Sequence, residues 1–239
     1  RAEIAGDHRI RLLSSGQEVT AEKILVAVGG HPNPHPEMPG SELCISSNEA
    51  FHLEELPKSI AITGGGYIAV EFANIFAGLG VETTLIYRGE EILRGFDMDM
   101  RVNLREAMEK KGIQVICRDT IVEVAQAADG RLKAQTHNGH VFNVDKVMMA
   151  LGRQPNTNGL GLESVGVELD AKGAIKVDDY SRTNVDYIWA LGDVTDRVQL
   201  TPVAIHEAMC FIETEYKDNP TKPDHDLIAT AVFSQPEIG

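Results

Sequence analysis

The stretch from Ser59 to Tyr87 constrains the fold more than any other part of this chain. Ser59–Thr63 follows the breaker Pro57 and reads as a buried strand, interrupted by Gly64-Gly65-Gly66. Tyr67–Leu79 is then apolar almost all round, the pattern of a helix held between a sheet and other protein. Gly80 is placed to end that helix. Val81–Tyr87 is rich in β-branched residues and reads as a second strand. Strand, glycine turn, helix and strand in that order describe an α/β fold with a parallel sheet.

Gly64, Gly66 and Ala69 fill the G-x-G-x-x-G/A fingerprint of a Rossmann-type dinucleotide site. Gly64 permits the sharp turn out of the strand, and Gly66, lacking Cβ, lets a pyrophosphate approach the backbone. Ala69 is small enough for the helix to lie against the strand. N–H groups and partial positive charge at the helix start face the phosphates. In an NAD site the second strand ends near an Asp or Glu that binds the ribose 2′-hydroxyl. Here Tyr87 and Arg88 occupy that end and Arg94 follows. A carboxylate repels a 2′-phosphate, whereas guanidinium binds it in a bidentate fork. The expectation is an NADP(H) site, although Glu90 and Glu91 leave open a pairing with these arginines or a contact to the ribose.

The net charge of −14, from 22 Lys and Arg against 36 Asp and Glu, argues against nucleic acid or an anionic membrane as partner. It also makes a local arginine pair more telling. No apolar run reaches the length of a membrane span, and no signal peptide is visible. Cys44, Cys117 and Cys210 are scattered, with neither C-x-x-C nor metal-ligand spacing, so no metal site is expected. Three unpaired thiols fit a reducing, cytoplasmic setting.

A short repeat organises the remainder. Ile24-Leu25-Val26-Ala27-Val28-Gly29-Gly30-His31-Pro32-Asn33 returns as Val147-Met148-Met149-Ala150-Leu151-Gly152-Arg153-Gln154-Pro155-Asn156. Each copy is a buried strand leaving through glycine into a Pro-Asn turn, and the two bracket the dinucleotide unit. That arrangement predicts one Rossmann-type domain inserted between two pieces of another. Ile10–Leu13 and Ile24–Val28 are expected to pair across the Ser14–Thr20 turn. Residues Gly30–Pro39 read as a connector. Asp97–Lys111 is expected as an amphipathic helix with Met100, Leu104, Ala107 and Met108 on one face. Ile113–Cys117, Thr120–Ala127, Leu132–Thr136 and Val144–Ala150 read as strands, with hairpin turns at Asp129-Gly130 and Asn138-Gly139.

After Arg153, the stretch Thr183–Asp193 reads as a strand that runs straight into Gly192-Asp193, setting a carboxylate at its carboxyl edge, where open α/β sheets bind ligands. A turn-forming Asp is the alternative. Thr201-Pro202 opens a further helix, with Thr201 expected as N-cap. His206 has no ligand-like neighbour and reads as structural or solvated.

The ordered motifs Ala-x-Gly-Gly, Gly-Gly-Gly-Tyr-Ile-Ala-Val-Glu-Phe-Ala, Leu-Gly-Arg-x-Pro-Asn, Ala-Leu-Gly-Asp, Leu-Thr-Pro-Val-Ala-Ile and Val-Phe-Ser-Gln-Pro-Glu-Ile-Gly resemble the flavoprotein disulfide reductases across essentially the whole chain. Their wording is most similar to the branch that reduces glutathione disulfide. The resemblance implies that Gly64, Gly65, Gly66, Ile68 and Ala69 hold the NADPH pyrophosphate and that Arg88 and Arg94 clamp its 2′-phosphate. It places Gly29 and Gly152 beside cofactor at the domain edges. Tyr67 is similar to the tyrosine that covers the flavin, and Glu71 to the glutamate that pairs with a flavin-side lysine and helps seat the nicotinamide. Asp193 would accept a hydrogen bond from the FAD ribityl chain, and Thr201 would face the flavin pyrimidine.

The implied layout is 1–29 as the end of an FAD-binding domain, 30–152 as the NADPH-binding domain, 153–226 as returning FAD segment, and 227–239 as the start of an interface domain. The first FAD fingerprint, the redox C-x4-C pair and the catalytic His and Glu of the family are absent, so the chain reads as an internal fragment that begins at Arg1 rather than Met. No catalytic residue is expected within it. The parent protein is expected to be a homodimeric, NADPH- and FAD-dependent reductase of glutathione disulfide. The alternatives are a nucleotide-binding module without catalysis, or a relative reducing trypanothione or mercuric ion.

Overall fold

The computed structural model describes residues 1–239. In chain order the first strands are β1 (Ala2–Gly6), β2 (Arg9–Leu12), β3 (Glu18–Thr20), β4 (Ile24–Val26) and β5 (Gly30–Pro32). The short helix α1 (Ser47–Ala50), β6 (Ser59–Thr63), α2 (Tyr67–Gly78), β7 (Glu82–Tyr87), α3 (Met98–Lys110) and β8 (Gln114–Cys117) follow. Then come β9 (Ile121–Gln126), β10 (Leu132–Thr136), β11 (Val141–Val144), β12 (Lys146–Met149), β13 (Arg153–Pro155), β14 (Ile188–Ala190) and α4 (Thr201–Tyr216). The chain divides into two compact units, one of Arg1–His31 with Arg153–Ile228, the other of Pro32–Gly152 with Ala229–Gly239.

The second unit is Rossmann-like. Its parallel sheet has the order β12-β6-β7-β8. Strand β6 is buried along its whole length, because alternate residues face two separate apolar layers. Ile60, Ile62, Leu85 and Met148 pack with Val70, Phe76, Leu104 and Met108 of the helices. Ala61, Ile86, Val147 and Met149 pack on the other side with Ile121, Val124, Leu132 and Ala134 of the antiparallel sheet β11-β10-β9. Asp145 Oδ2 accepts the N–H groups of Lys58 and Ser59 at 2.7 and 3.0 Å, fixing the start of β6 against β12. Residues Ala229–Gly239 pack here as well: Val232 and Ile238 join the helix-side layer, and Gln235 N–H donates to Asn74 of α2 at 3.1 Å.

Two expectations for this unit change. The strand expected at Val144–Ala150 is β12, Lys146–Met149, and Val144 instead ends the separate strand β11, which the Asn138-Gly139 turn pairs with β10. Met100 is exposed while Leu104 and Met108 are buried, so the first turn of α3 carries its apolar residues into solvent. Asp97 caps that helix by accepting Asp99 N–H at 2.9 Å.

The first unit holds a β1-β2-β3 meander and the parallel pair β4 and β14. Strand β2 pairs with β1 and β3, and β4 with β14; the expected pairing of Ile10–Leu13 with Ile24–Val28 does not form. The exposed polar residues of β2 and β3 suit an outer meander, whereas Ile24 and Val26 are buried with Ile188 and Ala190. Residues Gly30–Pro32, expected as connector, form β5 and pair with β13.

Candidate functional site: the glycine turn and the end of the second parallel strand

Each glycine of the turn between β6 and α2 is demanded by something different. Gly64 has φ +144°, and a Cβ there would lie 2.3 Å from Ala150 O and 3.1 Å from Ala69 Cβ. A Cβ on Gly65 would lie 2.4 Å from the Tyr87 ring. Gly66 has an ordinary φ of −86°, and a Cβ would meet nothing within 4 Å. Packing therefore does not explain Gly66, which is the N-cap of α2 and leaves its first turn without a side-chain cap. An extended glycine with open space before it, at a helix start, is the geometry that admits an anion. Ala69 is fully buried, and Ile68 packs against the helix-side core. Tyr67 is exposed.

The loop after β7 is tied to this turn. Leu93 N–H donates to Gly65 O at 2.6 Å, bringing Arg94 beside the glycines. Arg88 follows Tyr87, whose ring fills the space that Cβ atoms on Gly65 and Gly89 would occupy. Both arginines are exposed, and neither has a carboxylate within ion-pairing distance. Their acidic neighbours are engaged elsewhere. Glu91 is buried, bonded to Arg105 Nε at 2.9 Å and to Ile92 N–H at 3.0 Å. Arg101 caps the same loop, donating to Ile92 O at 2.7 Å and Glu91 O at 2.8 Å. Glu90 pairs with Arg118 at 2.9 Å. The two acids that complicated the sequence reading thus leave Arg88 and Arg94 unneutralised.

Sequence reasoning missed the Tyr87 wedge, the Arg101 and Arg105 braces and the Arg118–Glu90 pair. The i, i+4 spacing of Arg101 and Arg105 on one helix was the available signal for the braces. Nothing in the spacing pointed to Arg118, which reaches the loop through strand register: Tyr87 pairs with Cys117, and Arg118 N–H donates to Gly89 O at 2.8 Å.

Glu71, one turn into α2, is half-buried and accepts the Phe233 N–H at 2.9 Å. The partner that offsets this acid within the unit is a backbone donor rather than a cation. Gly152 has φ +97°, and its carbonyl accepts Asn33 N–H at 3.0 Å while Asn33 Nδ2 donates to Leu151 O at 3.0 Å.

In the first unit the repeat is answered in kind. Asn156 N–H donates to Gly29 O at 3.0 Å, and Gly29 has φ +70°. Asp193 follows Gly192 (φ +73°) and stands against Gly30, whose Cβ would be 3.6 Å from Asp193 Cβ. No partner occupies its carboxylate. The Gly192 N–H is held at 2.6 Å by Glu207, a buried carboxylate of α4 that also meets Arg197 at 3.0 Å and His225 at 2.8 Å. Thr201 is not the N-cap of α4. Val203 and Ala204 N–H groups both donate to Leu200 O, at 3.0 and 3.1 Å, so Leu200 caps and exposed Thr201 opens the helix. His206 is exposed on α4.

All three cysteines are free. Burial pushes the Cys44 thiol up to about 11, helped by Glu42. A cleft of about 800 Å3 lies at the amino ends of β6 and β12, lined by Glu49, His52, Lys58 and Asp145 among others. It is at the opposite edge of the sheet from the glycine turn. Open parallel sheets bind ligands at their carboxyl edge, so the cleft is not the coenzyme site. No helix is long and apolar enough to cross a membrane.

Residues 2–208 match the family described as pyridine nucleotide-disulphide oxidoreductase. The chain belongs to that family. Within it, the chain is 46% identical over 239 residues to the chloroplastic/mitochondrial glutathione reductase of Pisum sativum, covering 100% of this chain and 43% of the relative. It is 46% identical over 237 residues to glutathione reductase of Burkholderia cepacia, covering 99% and 52%. A trypanothione reductase of Trypanosoma congolense is 46% identical over 226 residues, covering 93% and 46%. The chain spans about half the length of these relatives. Among solved structures, the HOCl-induced flavoprotein disulfide reductase RclA of Escherichia coli superposes with TM-score 0.92 at 28% identity, covering 99% of this chain and 55% of that one. The family's mixed α/β fold with parallel sheets is the fold observed here.

Proposed function

We propose that this chain is the central, coenzyme-binding part of an NADPH- and FAD-dependent reductase of glutathione disulfide. One observation carries the coenzyme half of the reading. Arg88 and Arg94 stand beside the glycine turn with no carboxylate partner, while Glu90 and Glu91 are occupied by Arg118 and Arg105. Unpaired guanidinium groups at that strand end suit a 2′-phosphate and leave no acid for a bare ribose. In this reading Gly64, Gly65, Gly66, Ile68 and Ala69 receive the pyrophosphate, and Gly152 flanks the coenzyme. Tyr67 and Glu71 assist nicotinamide placement.

For FAD, the unpartnered Asp193 carboxylate against Gly30 fits a hydroxyl-rich chain, with Gly29 at the neighbouring turn and Thr201 at the start of α4. Bound FAD would accept hydride from NADPH and pass two electrons towards a disulfide. These residues hold and orient the cofactors; the disulfide chemistry belongs to parts of the parent protein outside this chain. Residues 30–152 serve as coenzyme domain, 1–29 with 153–226 as part of the FAD domain, and 227–239 as the start of an interface domain of a homodimer. Relatives named glutathione reductase and trypanothione reductase match equally well, so the matched segment does not choose between their substrates. Glutathione disulfide is favoured because the wording of the ordered motifs resembles that branch.

Calorimetry of this chain with each coenzyme tests the proposal. NADPH should bind more tightly than NADH, and Arg88→Leu and Arg94→Leu should each weaken NADPH by about tenfold or more, the loss of one charge-assisted contact, while leaving NADH within about twofold. Equal affinity of the unaltered chain for both coenzymes overturns the reading. Glutathione disulfide turnover should be absent from this chain and present in the full parent protein.

A further inference from the structure

The loop that follows β7 presents Arg88, Glu90 and Arg94 within seven residues. A phosphate attracted by the two arginines would also meet the charge of Glu90, which stands between them in sequence and is well exposed. The unit supplies a counter-charge from the next strand. Arg118 leaves β8 with φ +60°, an uncommon conformation for a residue other than glycine. Its backbone is fixed on both sides: Arg118 N–H donates to Gly89 O at 2.8 Å, and Asn138 Nδ2 donates to Arg118 O at 3.0 Å. The following residue, Asp119, is buried and binds Thr120 N–H at 2.8 Å and His140 Nδ1 at 2.9 Å. The guanidinium emerging from this fixed point meets Glu90 at 2.9 Å.

An exposed ion pair of this kind adds little to folding stability, so stability does not account for the arrangement. We propose that Arg118 is a coenzyme-specificity residue that acts by neutralising Glu90, so that the Arg88/Arg94 subsite accepts a 2′-phosphate without an opposing carboxylate. This rests on the NADPH reading above. Arg118 is a positioning and charge-balancing residue rather than a ligand of the phosphate, and Glu90 is the element through which it acts.

The test is calorimetry of NADPH and NADH with the unaltered chain, Arg118→Ala, Glu90→Gln and the double variant, at low and high salt. In water-like dielectric, a unit charge and a dianionic phosphate about 8 Å apart interact by an amount that corresponds to roughly a fivefold change in affinity, which sets the scale of the expected effect. Arg118→Ala should therefore weaken NADPH by about threefold to fivefold at low salt, leave NADH within about twofold, and lose its effect near 0.5 M salt, roughly where screening is complete. Glu90→Gln alone should hold or tighten NADPH binding. The double variant should return to the affinity of the unaltered chain. An unchanged NADPH-to-NADH ratio in Arg118→Ala overturns the inference and leaves the coenzyme reading standing. A double variant as weak as Arg118→Ala overturns it too, because the effect would not run through Glu90. Should the unaltered chain bind both coenzymes equally, the coenzyme reading and this inference fall together. Unchanged circular dichroism melts of all four proteins establish that the comparison is not one of folding.

Discussion

Replacing Gly64 and Gly66 separately by alanine separates what the fold needs from what a ligand needs. At Gly64 a methyl group would lie 2.3 Å from Ala150 O, on a backbone with φ +144°. The dihedral strain costs about 1–3 kcal/mol, and forcing a methyl into packed backbone costs about 1–3 kcal/mol more. Gly64→Ala should thus destabilise the Rossmann-like unit by about 3–5 kcal/mol. At Gly66 the methyl meets nothing within 4 Å and φ is −86°. There the gain of about 0.4–1 kcal/mol from a stiffer unfolded chain offsets a comparable loss at the N-cap. Gly66→Ala should leave stability within about 0.5 kcal/mol, yet its methyl would occupy the proposed approach of the pyrophosphate. Losing one hydrogen bond to a charged group, about 1.5–3 kcal/mol, weakens NADPH by about tenfold to a hundredfold. Urea unfolding followed by far-UV circular dichroism reads the first quantity, and calorimetry the second. The lone tryptophan, Trp189, lies in the other unit and its fluorescence would report the wrong transition. Normal NADPH binding by well-folded Gly66→Ala refutes the placement of phosphate on this turn. Destabilisation of Gly66→Ala equal to that of Gly64→Ala refutes the claim that Gly66 is free of structural duty.

Two further perturbations probe the buried acids. Burial raises the pKa of Asp119, but hydrogen bonds from Thr136, His140, Asn138 and Thr120 outweigh it and hold the carboxyl at about 2 against an ordinary 3.8. A depressed folded-state value gives stability that is present above pH 3.8 and lost as pH falls through 2, about 2 kcal/mol in all. Asp119→Asn should remove that difference, so urea midpoints of the two proteins should diverge at pH 5 and converge near pH 2; parallel curves over this window refute the assignment. Glu207→Ala strands the Gly192 N–H, Arg197 and His225 together and should cost about 3–5 kcal/mol. Trp189 fluorescence during urea unfolding measures it, and a loss below about 1 kcal/mol would mean that the carboxylate behaves as a surface ion.

Local signals made the strand, glycine turn and helix legible because each residue there serves one requirement. Ser59–Thr63 appears as β6 at the expected bounds, and α2 begins at Tyr67. Elements whose partners are distant in sequence were less legible. Ile10–Leu13 and Ile24–Val28 look alike as short apolar runs, yet β4 is claimed by β14, far along the chain. Val144–Ala150 reads as one strand, but its Asp145 carboxylate is turned onto Lys58 and Ser59, and the backbone breaks there between β11 and β12. Thr201 has the composition of a cap, but capping is decided by which carbonyl receives Val203 and Ala204, and that carbonyl is Leu200.

The candidate site shows the same division between identity and partnership. Sequence alone could name Arg88, Glu90, Glu91 and Arg94, and their charges cancel on paper. Whether they cancel in space depends on Arg105, which arrives on α3, and on Arg118, which follows β8 directly. The burial of Glu91 matters most here. A desolvated carboxylate requires its own cation and hydrogen bonds, and once Arg105 and the Ile92 N–H satisfy it, it has no reason to turn outward to Arg88 or Arg94. A chain with net charge −14 can therefore present local positive charge without an excess of basic residues, by assigning each nearby acid to a different partner.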